Sequence, residues 1–254
     1  MKEKIVDQLL RYFIKEDERF ENLEIPSNDS EKRNLLRGII NLRAPYPIPE
    51  EILVLEDQLL QLELKEKEVM DVSEIETRDG VFAIWQGDIT ALKIDAIVNP
   101  GNSALLGCFL PGHSCLDNQI HTRAGIRLRL ACNEIMQGRE ESIGKAEITD
   151  AYNLPCDYVI HTVGPKITGK VTNKDEELLA KCYKSCLDIA KEKNIKTIAF
   201  PTIATGVFCF PKELASKIAV STVREYVKEN PNTFDKIIFD AYEEEDWMYY
   251  DRLF

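Results

Sequence analysis

Apolar residues recur at helical spacing in the first seventy or so residues of the chain. One helical face carries Ile5, Leu9, Leu10 and Phe13. A polar break, PSNDSEK, precedes a second predicted helix around 35–42, and the turn RAPYPIP leads to a third, PEEILVLEDQLLQLELKEKE. This region contains no polar cluster that suggests chemistry. Residues 1–74 are therefore predicted to form a helical N-terminal extension that packs on the main domain or on a partner.

From about residue 79 the pattern changes to short apolar runs that alternate with helical patterns. Such alternation is typical of βαβ units and predicts an α/β domain with a parallel or mixed sheet over residues 75–254. The predicted strands are VFAIWQGDIT, KIDAIVNPGN, AEITDAYNL, YVIHTVGP, KTIAFPTIATG and KIIFDAY. The predicted helices are 117–137, 177–194, 211–230 and a short last one, EEEDWMYYDRLF.

Charge and composition narrow the classes of function. The formal net charge of −12 argues against a general nucleic-acid binder, because phosphate contacts need clustered Lys and Arg. No apolar run reaches the roughly 18 residues of a membrane span, and the first residues predict an amphipathic helix rather than a signal peptide. The odd number of cysteines, seven, is best explained by reduced thiols. We expect a cytoplasmic protein without a nucleic-acid or membrane partner.

Three strand-to-loop junctions are candidate binding sites, because ligands bind open α/β sheets at the carboxyl ends of strands. They are GDIT, NPGNSALLG and PTIATGVFCFP. In the last, the backbone of Ala204 to Val207 is expected to face a pyrophosphate, with Gly206 allowing either close approach or a positive φ. Asp88 is a candidate acceptor for an exocyclic amine, and Asn102 is a candidate for orienting a ribose hydroxyl. Taken singly, each is better explained as a cap or turn former.

The loop GCFLPGHSCLDNQIH gathers side chains that bind metals. Cys108, His113 and Cys115 form the pattern C-x4-H-x-C, and the Pro-Gly pair between them can fold the loop back on itself. No fourth Cys or His lies in the loop, and three protein ligands with one open position is how catalytic zinc is held. Burial of small thiols explains the same residues without a metal, and the sequence pattern leaves both explanations open.

The remaining Cys and His residues are predicted to be structural. Cys182 and Cys186 share a helical face with apolar residues, which indicates core packing. His121 falls within a predicted helix and is expected to pack there. His161 ends a strand and is expected to form hydrogen bonds in the core.

The order of these motifs resembles the macrodomain family, whose members bind ADP-ribose. GDIT, DAIVNPGNSALLG, the metal-like loop, IHTRAG, VIHTVGP and PTIATGVFCFP follow one another with compatible spacing from about Val81 to Ile238. The insert CFLPGHSCLDN, where many macrodomains have a run of glycines, is similar to the zinc-containing microbial branch. That branch also carries an N-terminal helical extension and is associated with sirtuin-like mono-ADP-ribosyltransferases. The resemblance implies a three-layer α/β/α fold with a central mixed sheet.

The resemblance also implies roles for individual residues. The adenine would be held by Asp88 and Ile89. The phosphate loop, which also flanks the distal ribose, would be Ala204, Thr205, Gly206, Val207 and Phe208. One zinc ion per chain would be bound by Cys108, His113 and Cys115. The distal end of the cleft would be lined by Asn102, which contacts the ribose, and by Cys115, Leu116 and Asp117.

The chain departs from the family pattern in two places. Asn99-Pro100-Gly101-Asn102 stands where the family usually has Asn-Ala-Ala-Asn, although both asparagines remain. The phosphate loop has Ala204 where Ser is common and Cys209 where Gly is common. Because backbone groups bind the phosphates, we expect the affinity for ADP-ribose to survive both changes.

The resemblance implies a zinc-dependent hydrolase that removes mono-ADP-ribose from modified protein side chains. The reaction would break the bond at the distal ribose C1″, with Asp117 accepting a proton from the attacking water and Asn102 fixing the ribose. Two alternatives remain at this point. One is a non-enzymatic reader of ADP-ribosylated proteins with a structural zinc, and the other is a deacetylase of O-acetyl-ADP-ribose.

Overall fold

The computed structural model describes residues 1–254 and contains eight α-helices and eight β-strands. The helices are α1 (Lys2–Glu16), α2 (Asp29–Leu42), α3 (Glu50–Leu64), α4 (Leu116–Ala124), α5 (Ile126–Met136), α6 (Asn173–Glu192), α7 (Lys212–Glu229) and α8 (Glu244–Asp251). The strands are β1 (Met70–Asp71), β2 (Phe82–Trp85), β3 (Leu92–Lys93), β4 (Ala96–Gly101), β5 (Ala146–Asp150), β6 (Tyr158–Val163), β7 (Thr197–Phe200) and β8 (Lys236–Asp240). None of the helices combines the length and the apolar composition that a bilayer-spanning segment needs.

The first three helices, here called the N-terminal unit, pack around a core of their own. Helix α2 begins where the Asn28 side chain accepts a hydrogen bond from the backbone of Glu31, which satisfies one of the free N–H groups of the first turn. The core contains 12 buried residues, and one of them, Ile126, comes from α5. The unit therefore shares its apolar interior with the rest of the chain. That a domain boundary lies at residue 74 stays a prediction.

A six-stranded mixed sheet in the order β2-β8-β7-β4-β6-β5 forms the centre of the molecule. All neighbouring pairs are parallel except β5 and β6. Each of the six strands predicted from the sequence is present. The first is shorter than predicted, since it ends at Trp85 and the Asp88 side chain then caps a short 3-10 turn at Ile89–Ala91.

Helices cover both faces of this sheet. Alternate residues of β4 point to opposite faces, so Ala96 and Val98 join a cluster of 27 buried residues with α6, α7 and α8. Ile97 joins a second cluster of 19 buried residues with α4 and α5. The three-layer α/β/α arrangement implied by the family resemblance is confirmed.

The single helix predicted for 117–137 is wrong, because the chain breaks at Gly125 into α4 and α5. Gly125 has φ 93° and ψ −179°, a conformation essentially restricted to glycine. A Cβ there would lie 2.9 Å from the Leu60 side chain and 3.1 Å from the carboxylate of Glu56, both on α3. The backbone N–H of Ile126 donates to that carboxylate at 2.8 Å. Helix α3 therefore occupies the space at the break and caps α5.

Candidate active site

A cleft of about 960 Å³ lies at the carboxyl ends of the parallel strands. This volume is in the range of pockets that hold small molecules. Its lining includes every residue that the sequence analysis selected: Asp88, Ile89, Asn102, Cys108, His113, Cys115, Leu116, Asp117, Ala204, Thr205, Gly206, Val207 and Phe208. The fold therefore brings these residues together in one place, while their individual roles stay predictions.

The potential ligand atoms of Cys108, His113 and Cys115 all lie within 4.8 Å of one another. The Sγ atom of Cys108 is 3.5 Å from Nδ1 of His113, a spacing that suits two ligands of one zinc ion at bond lengths of about 2.0 to 2.3 Å. All three side chains are partly exposed to the cleft. Burial and the neighbouring Cys108 raise the pKa of the Cys115 thiol to about 11. The donor set of two thiols and one imidazole fits zinc.

Asp117 lies in the first turn of α4, beside the Cys-His-Cys loop, which we define as residues 108–115. Its side chain is buried, and its Oδ1 atom accepts a hydrogen bond from the Asn99 amide at 2.9 Å. Burial raises the pKa of Asp117 to about 6, against the effect of that hydrogen bond. The carboxyl group is thus fixed on one side and borders the cleft. A carboxyl group in this state suits proton transfer.

Behind Asp117 lies a buried group that the sequence analysis did not assemble. His161 is fully buried and lies 3.1 Å from the Asn99 amide and 3.0 Å from the Thr149 hydroxyl, which confirms its expected hydrogen bonds in the core. His121 is also buried, but neither of its ring nitrogens has a hydrogen-bond partner. Burial lowers its pKa well below the ordinary value, so the ring is neutral. Potential ligand atoms of His121, Cys132 and His161 lie within 4.8 Å of one another.

Asn102 braces the loop that follows β4. Its amide nitrogen donates to the Gly107 carbonyl at 3.0 Å, and its amide oxygen accepts from the Ala104 backbone at 3.0 Å. The second hydrogen of the amide has no protein acceptor. Asn102 therefore stabilises the turn, and one of its two amide N–H groups remains free to donate to a ligand.

The Asp88 carboxylate at the other end of the cleft is surrounded by cations. It forms a 2.6 Å ion pair with Lys67, in the segment just after α3, and a second with Arg123 of α4, and it accepts hydrogen bonds from Thr90. Although burial opposes ionisation, these hydrogen bonds hold the pKa of Asp88 well below its ordinary value. Asp88 is thus an ionised acceptor, as the sequence analysis required. The two cations come from distant segments and were not anticipated.

The phosphate loop, residues 204–208, presents free donors to the cleft. None of its backbone N–H groups donates to another protein group, although a hydrogen bond from Phe210 to the Ala204 carbonyl at 3.0 Å closes the loop. Free N–H groups converging on one face form an anion site. Positive φ falls on Ala204 (65°) and Cys209 (57°) rather than on Gly206, so of the two roles considered for Gly206 only close approach to a ligand remains. A Cβ on Gly206 would meet nothing within 4 Å, which leaves that side open to a ligand.

Asp240 is a cleft residue that the sequence analysis missed. It is the last residue of β8, so its position at the carboxyl end of a predicted strand, in KIIFDAY, was the available signal. Its side chain is buried, and one carboxyl oxygen has no hydrogen-bond partner. Burial and the neighbouring Asp88 raise the pKa of Asp240 well above its ordinary value, which favours the neutral form of this carboxyl group.

Comparison with known proteins agrees with this architecture. The Macro domain family matches residues 98–219. The protein-ADP-ribose hydrolase of Treponema medium is 43% identical over 96% of this chain and 96% of its own length, and that of Staphylococcus aureus (strain MRSA252) is 44% identical over 96% and 94%. The solved Trypanosoma brucei macrodomain in complex with ADP-ribose superposes with a TM-score of 0.67 at 26% identity, over 84% of this chain and 93% of that one. In sequence and in fold, the chain belongs to the macrodomain family.

Proposed function

We propose that this protein is a hydrolase that removes mono-ADP-ribose from modified protein side chains. One observation carries the proposal: a single cleft joins the unpaired N–H groups of the phosphate loop to the Cys-His-Cys loop and to the buried carboxyl of Asp117. An anion site and a site for acid-base chemistry that line one cleft suit a substrate with a pyrophosphate and a reactive sugar. The names of the two bacterial relatives support the same activity.

Each part of ADP-ribose has a counterpart in the cleft. The ionised carboxylate of Asp88 accepts a hydrogen bond from the exocyclic amine of adenine, beside Ile89. The free N–H groups of the phosphate loop donate to the pyrophosphate. The remaining donor of Asn102 reaches the distal ribose, with Leu116 against it. The modified protein side chain then projects out of the cleft past the Cys-His-Cys loop.

Cys108, His113 and Cys115 would hold one zinc ion, and with an open fourth position it would supply a Lewis acid at the distal ribose. Asp117 accepts the proton of the attacking water while the Asn99 amide keeps its carboxyl in place. The water oxygen forms a bond to C1″, the bond from C1″ to the protein side chain breaks, and the proton that Asp117 took from the water passes to the leaving side chain. Asn102 orients the ribose during this exchange.

Incubation of the protein with mono-ADP-ribosylated substrates tests the proposal. Substrates with Asp or Glu, Ser and Arg linkages are compared with and without a chelator. We expect Cys115→Ala and His113→Ala to lose hydrolysis while calorimetry still detects ADP-ribose binding. Cys156→Ala, which removes a thiol that does not line the cleft, is the control and should hydrolyse normally. Wild-type turnover after thorough removal of metal would refute the zinc assignment, and tight binding with no release of ADP-ribose would indicate a reader.

A further inference from the structure

Helix α2 of the N-terminal unit touches the Cys-His-Cys loop through one of its faces. The guanidinium of Arg37 donates to the backbone carbonyl of His113 at 2.8 Å. One turn later, the amide oxygen of Asn41 accepts from the backbone N–H of Gly112 at 3.0 Å. Between these two contacts the helix comes so close that a Cβ on Gly38 would lie 3.5 Å from the Pro111 side chain. The contacts thus cover the part of the loop between its potential metal ligands.

Asn118 of α4 links these contacts into one network. Its amide oxygen accepts from the Arg37 guanidinium at 2.8 Å, and its amide nitrogen donates to the carbonyls of Cys108 at 3.3 Å and Leu110 at 3.1 Å. The Thr122 hydroxyl donates to the same amide oxygen at 3.2 Å and accepts from the Asn41 amide at 3.2 Å. Because Asn118 is fully buried, its amide has few other groups, water included, with which it could form hydrogen bonds. Side chains of two helices thereby fix the loop backbone at four positions.

This network is what keeps an irregular loop in one conformation. The loop has no regular secondary structure, and a Pro-Gly pair interrupts it. Hydrogen bonds that involve a charged group, such as those from the Arg37 guanidinium, are roughly twice as strong as neutral ones. A loop whose ligand atoms are already gathered loses less conformational freedom when it binds an ion. The contacts with Arg37 and Asn41 therefore favour binding at Cys108, His113 and Cys115 without touching the bound ion.

We infer that the N-terminal unit is part of the candidate active site, with Arg37, Asn41 and Asn118 as positioning residues that gather the three metal ligands before an ion binds. This inference rests on the proposed zinc site and deepens it. It gives the helical extension a role in the chemistry rather than only in the packing of the main domain.

The chain offers a matched control on the same helix. Arg33 lies one turn before Arg37, and its guanidinium forms a two-point ion pair with Glu63 of α3 at 2.6 and 2.9 Å. This pair stays within the N-terminal unit and does not reach the loop. Arg33→Met and Arg37→Met therefore remove the same kind of side chain from the same helix, but only Arg37→Met releases the loop.

Hydrogen exchange of the full-length, metal-free protein is the first test. We expect a peptide covering residues 107–115 to exchange about ten-fold faster in Arg37→Met and in Asn41→Leu, because about 1.4 kcal/mol of loop stabilisation corresponds to that factor. Exchange in Arg33→Met should match the wild type. Asn41→Asp keeps an acceptor for the Gly112 N–H and should restore most of the protection. If Arg37→Met does not fold, the two Asn41 variants decide.

Zinc affinity, measured by competition with a chromophoric chelator, is the second test. Outer-shell substitutions weaken metal binding about 10- to 100-fold, and we expect this for Arg37→Met and Asn41→Leu but not for Arg33→Met or Asn41→Asp. The inference is overturned if the loop exchanges at the wild-type rate in both Arg37→Met and Asn41→Leu. A wild-type protein that binds no zinc would instead refute the proposed zinc site, while the exchange rates would still decide whether helix α2 holds the loop.

Discussion

At the scale of single residues, Asp117 combines three properties that a proton acceptor needs. It borders the cleft, it is 6% exposed, and the Asn99 amide fixes one of its oxygens. Burial raises its pKa to about 6, which makes the carboxylate a stronger base than an exposed aspartate while it stays mostly ionised at neutral pH. Asn118, the next residue, holds the Cys-His-Cys loop. The proposed proton acceptor and a residue that holds the Cys-His-Cys loop are thus neighbours in one helix turn.

Asp117→Asn separates proton transfer from binding. The amide has nearly the same shape and still accepts from Asn99, but it cannot take a proton from water. We expect the rate of ADP-ribose release in a single turnover to fall about 10²- to 10⁴-fold, while the dissociation constant for ADP-ribose changes only a few-fold. Rapid-quench kinetics and calorimetry on one preparation measure both quantities. A wild-type release rate in this variant would show that another group accepts the proton.

At the scale of elements, the break between α4 and α5 is required by the helix that packs against it. Gly125→Ala would place a methyl group 2.9 Å from Leu60 and force a glycine-only backbone conformation, so we expect a loss of about 3 kcal/mol in the free energy of unfolding. Gly138→Ala is the control, because Gly138 also has a positive φ, 77°, but nothing lies within 4 Å of its Cβ position. It should lose about 1 kcal/mol. Equal losses in urea unfolding would contradict a steric role for α3.

The same break shows where prediction from sequence ends. The six strands of the main sheet were predictable because short apolar runs and turn residues are local signals. Gly125 lies inside an apolar pattern that a single glycine does not interrupt, and the break depends on α3, some sixty residues earlier. The Cys-His-Cys loop was likewise visible because its ligands are close in sequence. Asn99 and Arg37 were not, because each meets its partner only through the fold.

At the scale of the whole molecule, Glu56 joins the N-terminal unit to the main domain. Its side chain is buried at the start of α5 and accepts from the Ile126 backbone at 2.8 Å. Burial raises the pKa of Glu56 from an ordinary value near 4.5 to about 7, against the effect of this hydrogen bond. Between these pH values the folded protein holds a proton that the unfolded chain releases. The free energy of unfolding therefore falls as the pH rises through this interval.

Glu56→Gln should remove this part of the pH dependence. One pKa unit corresponds to about 1.4 kcal/mol, so ionisation of Glu56 should lower wild-type stability by up to about 3 kcal/mol between about pH 4.5 and 7. Urea unfolding at closely spaced pH values measures the slope. Glutamine keeps the acceptor for Ile126 but does not titrate, so its slope should be flatter whatever its absolute stability. Glu51→Gln, on the exposed face of α3, should keep the wild-type slope. If Glu56→Gln also shows the wild-type slope, ionisation of Glu56 does not cause the pH dependence of the free energy of unfolding.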